Sequence, residues 1–598
     1  MDYESICRIS GKLLGGWMKS DPEDEDDAKF KEVLEFLRVD ITPKDVKAAA
    51  YVVPAFLSIL IISSIALLTP FVGFMPVMLI FLGIPFLLFQ YLKKYPLVKA
   101  RSVRQEAIRL IPDTMFYLIM SLRINPNLER ALEFTSKYSK GVIKRELDII
   151  IHRVRMGVDS VESGLVRWGE TWGEDFDEFR GSVRLVLASN LETNEKKRQA
   201  TLDKASNLLL DGLNKKVETA ARKLHTPTMI LFTFGVILPL VFVALVPFMS
   251  LMGLNIGIEA IALMYVVAIP LMLFVMTKFI VSTRPITSPP PNVPIPSKTL
   301  ISAIPSIGTA ALFSLIGVMV LMGRINLGNL SNLPFLWAFA TAVGLFLFLS
   351  SLKVKKARSV VKKTEMEFSE TLHQLGIFLS EGRSLEDALD RTAEKSGKLM
   401  AFMRRAANNI RMFSSDIRAA FFHHEFGALK DMHSDLVKSI LEVITSIANK
   451  GSNMISLVSF SLSEQTKKMQ QIDTQIEQSL GSLVTSMKII AIVVGPLVGG
   501  MISSMSLVLA ATMDYAEGAN MAFGSSGAPL DPAAITLIIG IFVVESSAIL
   551  SLFAAGLIHG DDWVMKRNSI GLAMSLSVFI FTGCAWLAAQ LFTGLAGA

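Results

Sequence analysis

Leu128-Glu129-Arg130-Ala131-Leu132-Glu133 returns 257 residues later as Leu385-Glu386-Asp387-Ala388-Leu389-Asp390. The same shift lays Lys99-Ala100-Arg101-Ser102 on Lys356-Ala357-Arg358-Ser359 and Pro239 on Pro496. Three matches at one shift argue for an internal duplication rather than chance. Each copy is a polar block, residues 93–226 and 353–484, held between hydrophobic segments. Inside the blocks apolar residues recur at helical spacing, as in Met115, Leu118, Ile119, Leu122 and again in Leu372, Leu375, Leu379. Breaks at Asn125-Pro126-Asn127, Gly141, Gly157 and Gly173, and at Glu381-Gly382-Arg383, Gly397 and Gly427, divide each block into short helices. The last helix of each, near 195–224 and 453–484, points toward the next membrane segment.

Outward from the blocks the chain is membrane-bound in character. Of its 598 residues 51% are hydrophobic, and the mean hydropathy is +0.48, above what a soluble core requires. Stretches long enough to cross about 30 Å of hydrocarbon fall at 51–69, 71–92, 227–250, 258–281, 300–323, 333–352, 486–512, 533–558 and 570–592. Thr69-Pro70 alone separates the first two. The predicted fold is an all-α polytopic membrane protein of about nine transmembrane helices with two duplicated cytoplasmic helical bundles. Its expected domains are an N-terminal region 1–50, spans 51–92, a bundle 93–226, spans 227–281, a Pro-rich linker 282–299, spans 300–352, a second bundle 353–484, spans 485–558, and a short loop with a last span, 559–598. An even number of crossings per copy makes the repeat parallel, unlike the inverted repeats of many transporters, and leaves the last span as an appended anchor.

Charge sets the expected orientation. By this layout 58 of the 59 Lys and Arg lie on one side, leaving only Arg324 on the other, which places the blocks and the N-terminus in the cytoplasm and the C-terminus outside. The external loop 513–532 carries Asp514, Glu517 and Asp531 without a basic residue. No cleavable signal precedes the first span; residues 1–50 are polar, with an acidic run at 21–27 that reads as a solvated linker. Cys7 and Cys584 fall on opposite sides of the layout and cannot pair.

Little here points to chemistry. Gly11-Lys12-Leu13 lacks the hydroxyl residue of a phosphate loop, and Gly524-Ser525-Ser526-Gly527 is assigned to the outside, so the chain is read as no enzyme and without a cofactor. Adjacent His423-His424-Glu425 and His433 point to different helix faces, which argues against a metal site. Glu545 is the one acid deep in a span and a candidate for intramembrane coupling, the plainer reading being a hydrogen bond between helices alongside Ser546 and Ser547. Lys93, Lys94, Lys99, Arg101 and Lys353, Lys355, Lys356, Arg358 sit beside spans and are expected on anionic lipid headgroups. Farther out, Arg123, Lys144, Arg145, Arg153, Arg155, Arg404, Arg405 and Arg411 are candidates for an acidic soluble partner. Nucleic acid is excluded as a partner because no stacking aromatics accompany the charge.

The loop-helix pattern Leu379-Ser380-Glu381-Gly382-Arg383-Ser384-Leu385-Glu386-Asp387-Ala388-Leu389, with its weaker twin from Leu122 to Leu132, resembles the signature of the type II secretion system F-type domain. Met156-Gly157-Val158-Asp159-Ser160-Val161-Glu162 is similar to that family's glycine-led helix start, although the second block, around Phe413, lacks the glycine. Two such domains among nine spans look like the archaeal platforms of the archaellum or of a type IV pilus, and Leu37-Arg38-Val39-Asp40-Ile41-Thr42-Pro43 is similar to the lead-in of the former. The resemblance implies a non-enzymatic platform, a cytoplasmic hexameric secretion ATPase docked on the basic bundles, and pilin-like or archaellin-like subunits assembled from the membrane. A second copy of the chain is a further expected partner. The alternative is a transmembrane subunit of a transporter or exporter energised by a separate ATPase.

Overall fold

The computed structural model describes residues 3–14, 25–37, 39, 41–72, 83–173, 176–251, 257–282, 293, 303–324, 331–413, 417–430, 432–505, 531–560 and 562–596. All regular structure among them is helical. The chain divides into two compact units, Met1–Ile108 and Arg109–Ala598.

The first unit holds α1 (Tyr3–Leu14), α2 (Glu25–Leu37), α3 (Pro43–Val72) and the start of α4 (Gly83–Ile124). Cys7, Phe30, Leu34, Ile41, Val46 and Ala49 form its core. The backbone N–H and hydroxyl of Thr42 both donate to Asp45 Oδ2, at 2.9 and 2.8 Å, which ties down the first turn of α3. Thr69-Pro70, which separates the first two expected spans, does not end the helix: α3 runs through both to Val72. Pro70 lies in the last turn, where one missing donor does not stop the helix. Of the second expected span, 73–82 lies outside the described residues.

The second unit contains the remainder of α4, then α5 (Leu128–Tyr138), α6 (Gly141–Arg155), α7 (Val161–Gly173), α8 (Asp177–Leu191) and α9 (Glu195–Phe232). There follow α10 (Leu238–Leu251), α11 (Ile258–Leu263), α12 (Ile269–Ser282), α13 (Ala303–Leu321), α14 (Leu333–Ser380), α15 (Leu385–Lys395), α16 (Met400–Phe413), α17 (Ile417–Phe422), α18 (Asp435–Ile447), α19 (Ser452–Ile489), α20 (495–505), α21 (Pro532–His559) and α22 (Trp563–Ala596). Side chains start the short helices as the sequence suggests. Asn127 accepts from the N–H of Arg130 at the head of α5, and Ser384 from that of Asp387 at the head of α15. Buried Thr135 and Thr392 turn their hydroxyls to the carbonyl four residues back, both at 2.6 Å. The two helix pairs α5/α15 and α9/α19 begin and end 257 residues apart. The periodic apolar residues from Met115 to Leu122 and from Leu372 to Leu379 are all buried.

Eight helices among the described residues are long and apolar enough to cross a membrane. The block boundaries fall inside helical stretches that continue into the spans. Helix α14 runs 48 residues from span into bundle. The closing helices are longer than the polar pattern suggests, continuing from bundle into span as Glu195–Val246 and Ser452–Met505. Among the described residues three π turns interrupt the spans, Thr233–Ile237, Met264–Ala268 and Ile490–Val494. Each ends two residues before a proline: Pro239, Pro270, Pro496. Proline lacks the N–H that its helix needs and crowds the carbonyl four residues back, and one widened turn relieves both.

The last span, expected as an anchor without a counterpart in the repeat, is packed against its neighbours. Helix α22 begins at Trp563, earlier than expected, and packs along α14 and α21. A Cβ on Gly571 would stand 2.4 Å from the Gly344 carbonyl oxygen, and one on Gly344 would stand 2.4 Å from Ser575 Oγ, so the helices cross at small residues. At the same crossing Arg358 pairs with buried Asp562, Lys355 Nζ reaches Asn568 Oδ1 at 2.8 Å, and Arg567 reaches Ser350 Oγ at 2.9 Å. Lys355 and Arg358, expected on lipid, are therefore packing residues; Lys353 and Lys356 stay exposed.

Candidate functional site

The basic residues proposed from sequence separate into three environments. On α16, Phe402, Met403, Ala406, Ala407 and Ile410 face the core, and the 3.6-residue period then turns Arg404, Arg405, Arg411 and Met412 outward. Helix α16 carries no carboxylate of its own. Arg411 is held by Asp390 of α15, while Arg404 has no ion pair among the described residues. Lys144 and Arg145 are likewise exposed on α6.

Arg153 and Arg155 are occupied locally. Arg153 Nε and Arg167 bind the two oxygens of Asp159 at 2.5 and 2.9 Å, closing the turn around Gly157, whose φ of 69° suits glycine. Hydrogen bonds from Arg167 and Arg153 hold the Asp159 carboxyl below its usual range. Arg155 pairs with Glu133 of α5 at 2.6 Å.

Arg123 belongs to neither face. It lies where α4, α9 and α19 meet, bound to Asp203 and 3.5 Å from Ser461 Oγ. There a cavity of about 240 Å³ is lined by polar groups from both bundles, including Asn207, Glu464, Gln465 and Lys468, over Phe116 and Ile119. Lys468 Nζ reaches Asn207 Oδ1 at 2.9 Å and Glu464 at 2.8 Å. Phe116 and Met120, from the first bundle, insert into the core of the second beside Phe368, Leu372 and Leu441. Sequence reasoning does not single out Asp203, Ser461 or Lys468. The apolar period of α9 and α19 carries no signal for them, since Asp203 lies outside the seam that Leu202, Leu209 and Val217 mark on α9.

Glu545 sits midway along α21, half-buried, with Oε2 buried and unpartnered. The expected interhelical bond is made by its neighbour instead. Ser547 donates to the Ala491 carbonyl, which needs a donor because the Gly495 N–H turns to Ile490 within the π turn and Pro496 has none. Ser546 Oγ is also buried without a partner.

His423 and His424 lie in the turn after α17 rather than on helix faces, with His423 stacked on Phe426 at 3.7 Å. Among the described residues no three His, Cys, Asp or Glu gather as a metal site. Gly11 and Lys12 lie inside α1, not in a loop, and 524–527 is outside the described residues. No family model matches the chain, and no curated protein or solved structure matches it.

Proposed function

We propose that this protein is a non-enzymatic membrane platform coupling a cytoplasmic hexameric secretion ATPase to the assembly of pilin-like or archaellin-like subunits into an archaellum or type IV pilus-like filament. One observation carries the reading: α9 and α19 continue from polar bundle into apolar span as unbroken helical stretches, Glu195–Val246 and Ser452–Met505, each through a single π turn. A torque or tilt applied to a bundle then has an unbroken helical path into the membrane part, with the π turn and its following proline as the place where that path bends.

Helix bounds that recur at one offset, together with paired N-caps and paired buried threonines, support a parallel duplication about an axis along the membrane normal. In this reading both bundles and the N-terminus are cytoplasmic, the C-terminus is external, and the ATPase meets the outward arginines of α16 first, with Lys144 and Arg145 on α6 as the matching contact.

The test is binding of the purified secretion ATPase to the full chain in lipid nanodiscs. Reversing Arg404, Arg405 and Arg411 to Glu should weaken it by roughly tenfold or more at low salt, and wild-type binding should itself weaken as salt rises, since exposed charge pairs are screened. Unchanged binding by the triple variant removes this face from the reading.

A further inference from the structure

Helix α21 is the most enclosed of the eight apolar helices, yet one line along it stays half-open. Between Ile535 and Leu557 every residue is buried except Leu537, Ile541, Glu545, Ala548, Ile549 and Leu552. Their spacing of three and four puts them on a single face, and from 537 to 552 the line covers about 22 Å at 1.5 Å per residue, most of the hydrocarbon thickness. Glu545 stands at its centre with an unpartnered carboxylate oxygen.

Such a group in hydrocarbon calls for a partner, and the described residues supply none: no other Asp, Glu, Lys, Arg or His lies at mid-span in the described apolar helices. We infer that this seam is a lateral docking site for a transmembrane helix of another protein that carries one basic side chain at mid-bilayer depth. The apolar positions above and below Glu545 match a helix of ordinary lipid-soluble character, and Ala548 admits close approach next to the charge. A second copy of this chain fits poorly, because a two-fold contact brings like residues together and would oppose two carboxylates. An acyl chain leaves the carboxylate unsatisfied. The inference does not depend on the filament reading, since it concerns any membrane helix of this chemistry.

The test uses the full chain in phosphatidylcholine vesicles with a photo-crosslinking residue at Leu552, or at the exposed Phe579 of α22 as a control. Three synthetic Leu/Ala transmembrane peptides of about 20 residues are added, with Lys, Leu or Glu at the centre. The Lys peptide should be captured at Leu552 about tenfold more than the Leu peptide, corresponding to about 1.4 kcal/mol, with no preference at Phe579. Glu545→Gln should bring the two peptides to parity and Glu545→Asp should keep the preference. Thermal melting monitors the fold of both variants. Equal capture of Lys and Leu peptides, a preference that survives in Glu545→Gln, or crosslinking that goes chiefly to a second copy or to lipid would each overturn the site.

Discussion

Arg153 and Arg167 reach opposite oxygens of Asp159, so one carboxylate closes the turn from residues 156 to 160. Its depressed pKa gives the sign of a pH effect. A carboxyl whose folded pKa lies below the unfolded value contributes stability above the unfolded pKa, near 3.9, and loses it as pH falls through the folded pKa. Amide exchange in 156–161 should therefore quicken as pH drops below about 4, and Asp159→Asn should show the fast exchange already at pH 7, with little change in global melting because both arginine partners are exposed. Exchange in Asp159→Asn as slow as in wild type would show that the turn is held by Gly157 and the backbone alone. Residue type does not reveal this division of labour: Arg153 and Arg404 read alike as basic surface, and only the position of a carboxylate on a neighbouring element separates them.

At the scale of elements, caps and π turns carry the separable energies. Ser384→Ala removes the side chain that satisfies the Asp387 N–H at the head of α15, and it should cost about 1 kcal/mol, with Asn127→Ala costing a similar amount at α5; denaturant titration of the purified protein in detergent would measure both. A π turn is an α-helix with one residue added. Deleting Val493 should therefore convert Ile490–Val494 to α-helix and leave the flanking segments in register, whereas deleting Leu480, one of the fully buried residues of α19, rotates every residue on one side by about 100°. Folded yield by size-exclusion chromatography should be substantially higher for the first deletion. Equal loss of both would mean that Pro496 and the Ser547 bond require the widened turn. The helical period and the Gly and Asn-Pro breaks make the short helices legible in the sequence alone. The π turns are not, because proline in an apolar run reads equally as a kink, a break or a bulge until its neighbours are placed.

At the scale of the molecule, the orientation proposed from charge has a direct check. Single cysteines placed in 93–226 or 353–484, in a background without Cys7 and Cys584, should be shielded from an impermeant thiol reagent in intact cells, and those in 513–532 should react. Labelling of either bundle from outside would reverse the topology and remove the surface assigned to the ATPase. Legible in the residues alone were the helical class, eight of the expected spans as long apolar helices, and the buried faces that Met115 to Leu122 mark on α4 and Leu372 to Leu379 on α14, because hydropathy and the 3.6-residue period are local properties that burial in any helical fold must obey. Only the packing decides that bundle and span share unbroken helical stretches, that α22 packs along α14 and α21, that Arg123 closes a joint between bundles while Arg404 faces water, and that Glu545 Oε2 has no partner among the described residues. Each of these depends on which residues distant in the chain come within hydrogen-bonding or packing distance, and a periodic pattern fixes the face a side chain occupies but not what stands opposite it.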